Sequence, residues 1–168
     1  MKHLHVLVIL LIFLCGCTSP GKGNDTRFSL SEAIEESAKQ MAQELPKNSR
    51  VAVVAFESLS NNLSNYILDE LNGALHNRGV RVVDRQNLVH VFNELDFQTS
   101  STVDEKTACS IGKIVGADMV ITGQLTNLGD MYRYQASVIN VETAVRASIT
   151  RFYVRNDKAM QRMIEAMQ

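Results

Sequence analysis

Histidine, cysteine, proline and phosphate-loop glycine are all scarce in this 168-residue chain, and each shortage removes a class of function. Of four histidines, His3 and His5 lie in the first apolar stretch, which leaves His76 and His90. Neither has a cysteine or carboxylate at metal-ligand spacing, and both fall near the polar edges of predicted helices, so no metal ligand or catalytic base is expected of them. Where a nucleotide-binding loop would follow the first strand, the chain reads Glu57-Ser58-Leu59-Ser60-Asn61-Asn62, with a carboxylate and no glycine to cradle phosphate. No cofactor, metal or small-molecule substrate is therefore expected. A charge of one sign is missing too: seventeen Lys and Arg stand against eighteen Asp and Glu, mixed along the chain, which argues against a nucleic-acid partner. The two prolines, Pro20 and Pro46, fall in a linker and at a helix stop.

The first seventeen residues carry the most information. Lys2, a largely apolar run from Leu4 to Leu14, and Leu14-Cys15-Gly16-Cys17 read as a bacterial lipoprotein signal. The run is eleven residues, about half of the ~20 that cross a bilayer as a helix, so a cleaved signal fits better than a permanent span. Gly16 is the small residue before the cut and Cys17 the thiol that receives lipid. An ordinary secretory signal cut after Gly16 satisfies the same small-residue rule. Cleavage leaves 152 residues with sixteen Lys and Arg against eighteen Asp and Glu, a formal balance of −2 and a length suited to one domain. Cys15 departs with residues 1–16 and Cys17 is expected to be acylated, so Cys109 has no cysteine to pair with. Residues 17–28 then form the lipidated cysteine and a short tether containing Pro20, Gly21 and Gly23. From Thr18 to Phe28, at 3.3–3.6 Å per residue, it spans at most roughly 36–40 Å.

Residues 29–168 read as one α/β domain. Ser29 and Glu32 have capping-box spacing, and Leu30, Ile34, Met41 and Leu45 make one apolar face up to Pro46. Val51 to Phe56 is continuously apolar, as in a strand buried on both faces. Asn61 or Asn62 is positioned to cap a helix with Leu63, Ile67, Leu71, Ala74 and Leu75 on one side, ending at Gly79, and a second strand, Val80 to Val83, follows at once. That is a βαβ unit with parallel pairing. Asp84 opens a helix with Leu88, Val91, Phe92 and Leu95, a polar loop covers Asp96 to Ser101, and Thr102 with Glu105 repeats the capping box. The inner face of that next helix is Ala108, Ile111, Ile114 and Val115, stopped by Gly116. Asp118 to Leu125 is a strand, Asn127 to Asp130 a turn, and Tyr132 to Val141 with Val145 to Val154 a hairpin turning at Glu142-Thr143. Asp157 begins a last helix. The sum is a three-layer-like α/β sandwich: a mixed sheet with a parallel βαβ start and a C-terminal antiparallel hairpin.

Few residues are left to carry chemistry. Cys109 sits mid-helix among Ala108 and Ile111, where a small buried thiol is the commoner outcome. Adjacent carboxylates such as Glu35-Glu36 and Asp104-Glu105 point to different faces and favour helix starts over acid–base work. Gly112 and Gly116 imitate a membrane-dimer motif, but with Lys113 between them helix ending and close packing explain both. Met160, Met163 and Met167 form a stripe with two readings, core packing on the sheet or an adaptable contact face for a partner.

Val51 to Phe56 with its polar turn, Val82-Val83-Asp84-Arg85-Gln86-Asn87-Leu88, and Ile111-Gly112-Lys113-Ile114-Val115-Gly116-Ala117-Asp118-Met119-Val120-Ile121-Thr122-Gly123 together resemble a family. It is that of bacterial lipoproteins of the curli-secretion type (CsgG-like), overlapping with penicillin-binding-protein activators (LpoB-like) and with the amino-terminal domain of TolB. The resemblance implies a non-enzymatic domain on the periplasmic face of the outer membrane, held there by acyl chains on Cys17, that acts through protein contacts. The implied partner is an envelope protein, whether a secretion component, a flagellar component or a penicillin-binding protein, and homo-oligomers are within the family's range. Two departures narrow this. No long amphipathic hairpins are inserted for a barrel, since Arg133, Asn140, Arg146 and Arg151 break any lipid-facing stripe in the two long strands. The short tether also gives an activator little reach toward the inner membrane, whereas flagellar-ring lipoproteins of the FlgO type, which are similar, need none.

Overall fold

The computed structural model describes residues 27–94 and 103–168. Cys17 and the rest of the signal and tether up to Thr26, Leu95, the loop from Asp96 to Ser101, and Thr102 lie outside the described residues.

Helix α1, Leu30–Glu44, starts on the expected capping box: the Ser29 hydroxyl accepts from Glu32 N–H, and Ser29 N–H donates to Glu32 Oε2 at 2.7 Å. Its inner side is Leu30, Ala33, Ile34, Ser37, Ala38 and Met41. Strand β1, Arg50–Glu57, is buried from Val51 to Val54 and again at Phe56, so both its faces are covered. Helix α2, Asn61–His76, is capped by Ser60 rather than by either asparagine. Ser60 is still extended, at φ −154°, and its hydroxyl accepts from Leu63 N–H at 3.2 Å, whereas Asn61 already belongs to the first turn. Strand β2 shrinks to Arg81–Val82, though Val83 N–H still donates to Val51 O at 2.8 Å.

Helix α3, Arg85–Glu94, follows Asp84, whose carboxylate accepts from Gln86 N–H. Helix α4, Glu105–Ile114, is capped by Asp104, which accepts from Thr107 N–H at 2.7 Å; the box assigned to Thr102 and Glu105 is thus replaced by a cap two residues later. Ile114 is also not an inner residue, being 55% exposed. At ~100° per residue it lies about 240° round the helix from Ala108, and Cys109 and Gly112 take the inner places instead. Gly112 does so because α4 rests directly on the sheet: a Cβ there would stand 2.5 Å from Val120 Cγ1 and 2.8 Å from Val141 Cγ2. Gly116, at φ +67°, ends the element as expected.

Strands β3, Met119–Asn127, β4, Met131–Asn140, and β5, Arg146–Arg155, are followed by α5, Lys158–Ala166, capped by Asp157. The sheet has five strands in the order β2-β1-β3-β4-β5. Its β2-β1-β3 part is parallel and its β3-β4-β5 part antiparallel. Helices α1, α2 and α5 share one apolar core with one face of the sheet, and α3 and α4 a second core with the other, which makes the three layers. The second core reaches β4 at Ile139 and, just past the end of the strand, Val141. No described helix is long and apolar enough to cross a membrane.

Candidate functional site

From β1 the chain leaves over one sheet face through α2 to β2, and returns over the other through α3 and α4 to β3 on β1's opposite side. Open α/β sheets leave a crevice where strand order reverses in this way. A cavity of about 610 Å³ lies there, at the carboxyl end of β1 and beside Thr122 to Gln124 in the middle of β3. Leu88 and Phe92 floor it, Leu59 and Val89 stand exposed at its rim, and Asn65, Gln124 and Gln135 supply amides along its walls. Arg85 borders it, bonded to Asp69 Oδ1 at 2.5 Å and to Asn65, and Arg146 pairs with Glu105. The Ser58 hydroxyl bonds Ser60 O at 3.0 Å and the Ser64 hydroxyl at 2.9 Å, and Glu57 lines the same crevice beside it. The crevice can hold a chain segment by apolar contact and neutral hydrogen bonds.

Beyond the crevice the same sheet face runs on without a helix over it among the described residues. Strand register sets out its side chains in rows: Thr122, Ser137 and Ile149; Gln124, Gln135 and Arg151; Thr126, Arg133 and Tyr153. The residues between them, Tyr132, Tyr134, Ala136, Phe152 and Val154, point the other way into the core. Ile149 is 45% and Tyr153 48% exposed. Arg151 donates through Nε and Nη2 to Gln135 Oε1 at 3.0 and 2.9 Å. Arg133 keeps a buried Nε with no hydrogen-bond partner. Neither arginine meets a carboxylate among the described residues. A face that joins Tyr, Arg and an exposed aliphatic residue has the composition of an interface centre.

A family model for the curli production assembly/transport component CsgG matches residues 34–141, which takes in both the crevice and much of this face. The chain belongs to the CsgG family. Solved structures similar to this CsgG-family chain include the LpoB C-terminal domain from Salmonella enterica, at 18% identity and TM-score 0.65, covering 77% of this chain and 100% of that one. The NMR structure of Escherichia coli LpoB follows at 17% and 0.63, covering 83% of this chain and 74% of that one. Lipoprotein GNA1162 from Neisseria meningitidis aligns at 15% and 0.50, covering 70% and 93%. At such identities these likenesses establish the fold. No curated protein sequence matches the chain.

Within this CsgG-family domain, the residues singled out from sequence fall in different places. Met160 is buried in the core under α5, with Met163 and Met167 half-buried on the same cluster. The Met167 carbonyl also accepts from the Ser60 hydroxyl at 2.6 Å, which ties the end of α5 to the start of α2. Cys109 is buried, its thiol 3.9 Å from Asn140 O. His76 and His90 are both exposed, and no cluster of three metal-ligating side chains occurs among the described residues. Arg133 and Arg151 were legible only as interruptions of a stripe. A count outward from a two-residue turn at Glu142-Thr143 sets Arg133 opposite Phe152 and Arg151 opposite Tyr134, on different faces; the register shift between Val138 and Ile139 sets Arg133 opposite Tyr153 and Arg151 opposite Gln135 instead, which brings both arginines to one face.

Opposite this face lies a buried polar cluster. The Ser37 hydroxyl of α1 meets the Thr150 hydroxyl of β5 at 2.6 Å, which leaves Tyr134 OH buried without a hydrogen-bond partner. Burial pushes the Tyr134 phenol well above its usual range, with the nearby Ser37 hydroxyl pulling weakly the other way. The Tyr134 ring stacks on Phe56 at 5.1 Å between centroids. Gly123 makes room for that stack, since any Cβ there would overlap the Phe56 ring.

Proposed function

We propose that this chain is a lipid-anchored accessory protein of the bacterial envelope, working in assembly or secretion by contact with other proteins rather than by catalysis. Residues 1–16 are its signal, and Cys17 carries acyl chains that hold residues 29–168 near the periplasmic face of the outer membrane. The lipoprotein signature, membership of the CsgG family and the likeness of fold to lipoprotein GNA1162 support the address. The observation that carries the mode of action is the helix-free face, where Arg133, Arg151 and Tyr153 stand together without a carboxylate among the described residues. Met163 and Met167 remain secondary contact candidates, having some surface outside the core.

A second reading is favoured by one specific observation, the match in fold to the whole LpoB C-terminal domain. It makes this chain an LpoB-like activator of a peptidoglycan synthase, a penicillin-binding protein. The test uses a photo-crosslinking amino acid in place of Tyr153 in the full chain, in its native envelope, with Cys17→Ala as the mislocalised control. Crosslinks to secretion or flagellar components, or ladders of the chain itself, that depend on Cys17 support the assembly role. A penicillin-binding protein as the sole Cys17-dependent product overturns it for the activator. Crosslinking from a probe on α5 but none from position 153 removes the helix-free face as the contact surface.

A further inference from the structure

Strand β5 is the outermost strand of the sheet, and among the described residues only part of its outer edge is occupied. Phe28 bridges it in parallel: Phe28 N–H donates to Tyr153 O and Arg155 N–H donates to Phe28 O, each at 2.8 Å. Those bonds show that Tyr153 and Arg155 turn their backbone groups away from β4. By the alternation of an antiparallel ladder Arg151 and Ile149 do the same, and the pairing with β4 stays regular up to Ser148. Past Phe28, then, the amides and carbonyls of Ile149 and Arg151 face outward with no hydrogen-bond partner among the described residues. Natural sheets shield such edges with prolines, bulges or charges aimed along the edge. Here the bulge comes beyond Ser148, and the Arg151 head is drawn over the sheet face to Gln135.

We propose that the β5 edge at Ile149 and Arg151 is a docking site for an extended, carboxylate-bearing segment of a partner protein, which pairs with it as an added strand. The inference rests on the reading of this chain as a contact protein and supplies the partner's chemistry. Phe28 shows that the edge accepts a parallel strand. Side chains of an added strand continue the rows of the helix-free face and arrive beside Arg151 and Tyr153. Of the arginines on β5, Arg146 is matched by Glu105 and Arg155 by Glu32 and Asp157, while Arg151 has only a neutral amide. A second copy is a poorer occupant. Pairing two β5 edges so that each Ile149 faces the other copy's Arg151 sets the two Arg151 side chains on one diagonal, where like charges oppose association. The chain's own Gly23, Asn24 and Asp25 are of types depleted in strands.

The test is amide hydrogen exchange by NMR on the full chain in detergent micelles, with two capped heptapeptides as probes, Val-Glu-Val-Glu-Val-Glu-Val and the same with Lys for Glu. The Ile149 and Arg151 amides should exchange rapidly in the free protein and slow by ~10-fold or more with the acidic peptide, but not with the basic one. Ile149→Pro removes an outward donor that takes no part in the ladder to β4, so it should fold and lose the effect. Arg151→Gln should fold regardless and bind both peptides alike. No slowing with the acidic peptide overturns the site, and equal slowing with both overturns its charge preference. Protection without peptide overturns the partner, in favour of a second copy if it grows with protein concentration and of the chain's own tether if it does not. Crosslinking from position 153 that persists while the peptide fails to bind removes the edge inference alone and leaves the contact role standing.

Discussion

The two faces of one sheet are built to opposite specifications. On the first, α1, α2 and α5 cover all five strands with a single core that includes Ile34, Leu71, Tyr134 and Val154, and Val82 of β2 packs against it. On the second, α3 and α4 cover β1, β3 and the end of β4, and the remainder shows Arg133, Gln135, Arg151 and Tyr153. Strands β4 and β5 alternate their residues between these environments, so neighbours in sequence serve different ends: Tyr134 packs the core and Arg133 beside it faces out. The difference separates stability from contact along single strands, so substitutions on the two faces should have effects that scarcely overlap.

The largest expected effect tests this directly. Leu71→Ala, which truncates a fully buried side chain of the first core, should cost about 2–5 kcal/mol in chemical denaturation. Tyr153→Ala, with half its surface already in solvent, should change stability by no more than about 0.5 kcal/mol while weakening partner capture. Comparable losses from the two would break the division between the faces. Next comes the covered part of the second face. Gly112→Ala places a methyl against Val120 and Val141 and should cost about 1–3 kcal/mol, because a helix seated on backbone has little room to shift. A neutral Gly112→Ala would mean that α4 rides loosely, and that the second face is hardly more committed to packing than its open part.

Elements whose signals are local were legible from sequence, and surfaces made by distant elements were not. Ser29 with Glu32, Val51 to Phe56, Gly116 and the hairpin around Glu142-Thr143 each act within a few residues, and each stands where the pattern puts it. The alternation of Tyr132, Tyr134, Ala136 and Val138 with Arg133, Gln135 and Ser137 is equally plain. Whether a helix covers the polar half depends on where α3 and α4 run, which no residue of β4 encodes. The caps at Ser60 and Asp104 were misplaced for a smaller reason: several residues of capping type stand side by side, and backbone geometry chooses among them.

A smaller effect falls on the helix starts that both faces share. The Glu32 carboxyl is held below its usual value by the Ser29 amide, Asp104 by the Thr107 amide and Asp157 by the Met160 amide. A folded-state pKa below the unfolded one adds stability that is whole above the unfolded value, 4.5 for Glu and 3.8 for Asp, and is lost as pH falls through the folded value. Denaturation followed downward from neutral pH should therefore show stability declining below about pH 4.5, and Asp104→Asn should lessen that decline. Ser29→Ala, removing the hydroxyl of the capping box, should cost about 1 kcal/mol near neutral pH. An unchanged acid limb in Asp104→Asn would show that the cap forms without its charge.

The smallest effect is the most discriminating for the first face, because it concerns Tyr134 OH, a buried hydroxyl in that core without a hydrogen-bond partner among the described residues. Tyr134 OH is buried beside a Ser37–Thr150 pair that satisfies itself, so Tyr134→Phe removes a desolvated hydroxyl and keeps the ring stacked on Phe56. Where no bond is lost the change should be neutral, or stabilising by up to about 1 kcal/mol. Burial raises the phenol's folded pKa above its unfolded value of 10.0, so its neutral form adds stability below that value which is lost as pH climbs past it. Tyr134→Phe should accordingly flatten the alkaline limb of a stability profile above pH 10 while leaving the neutral region in place. A loss of more than about 1 kcal/mol at neutral pH would instead reveal a bond from the hydroxyl to Ser37, tying α1 to the sheet through three polar residues rather than two.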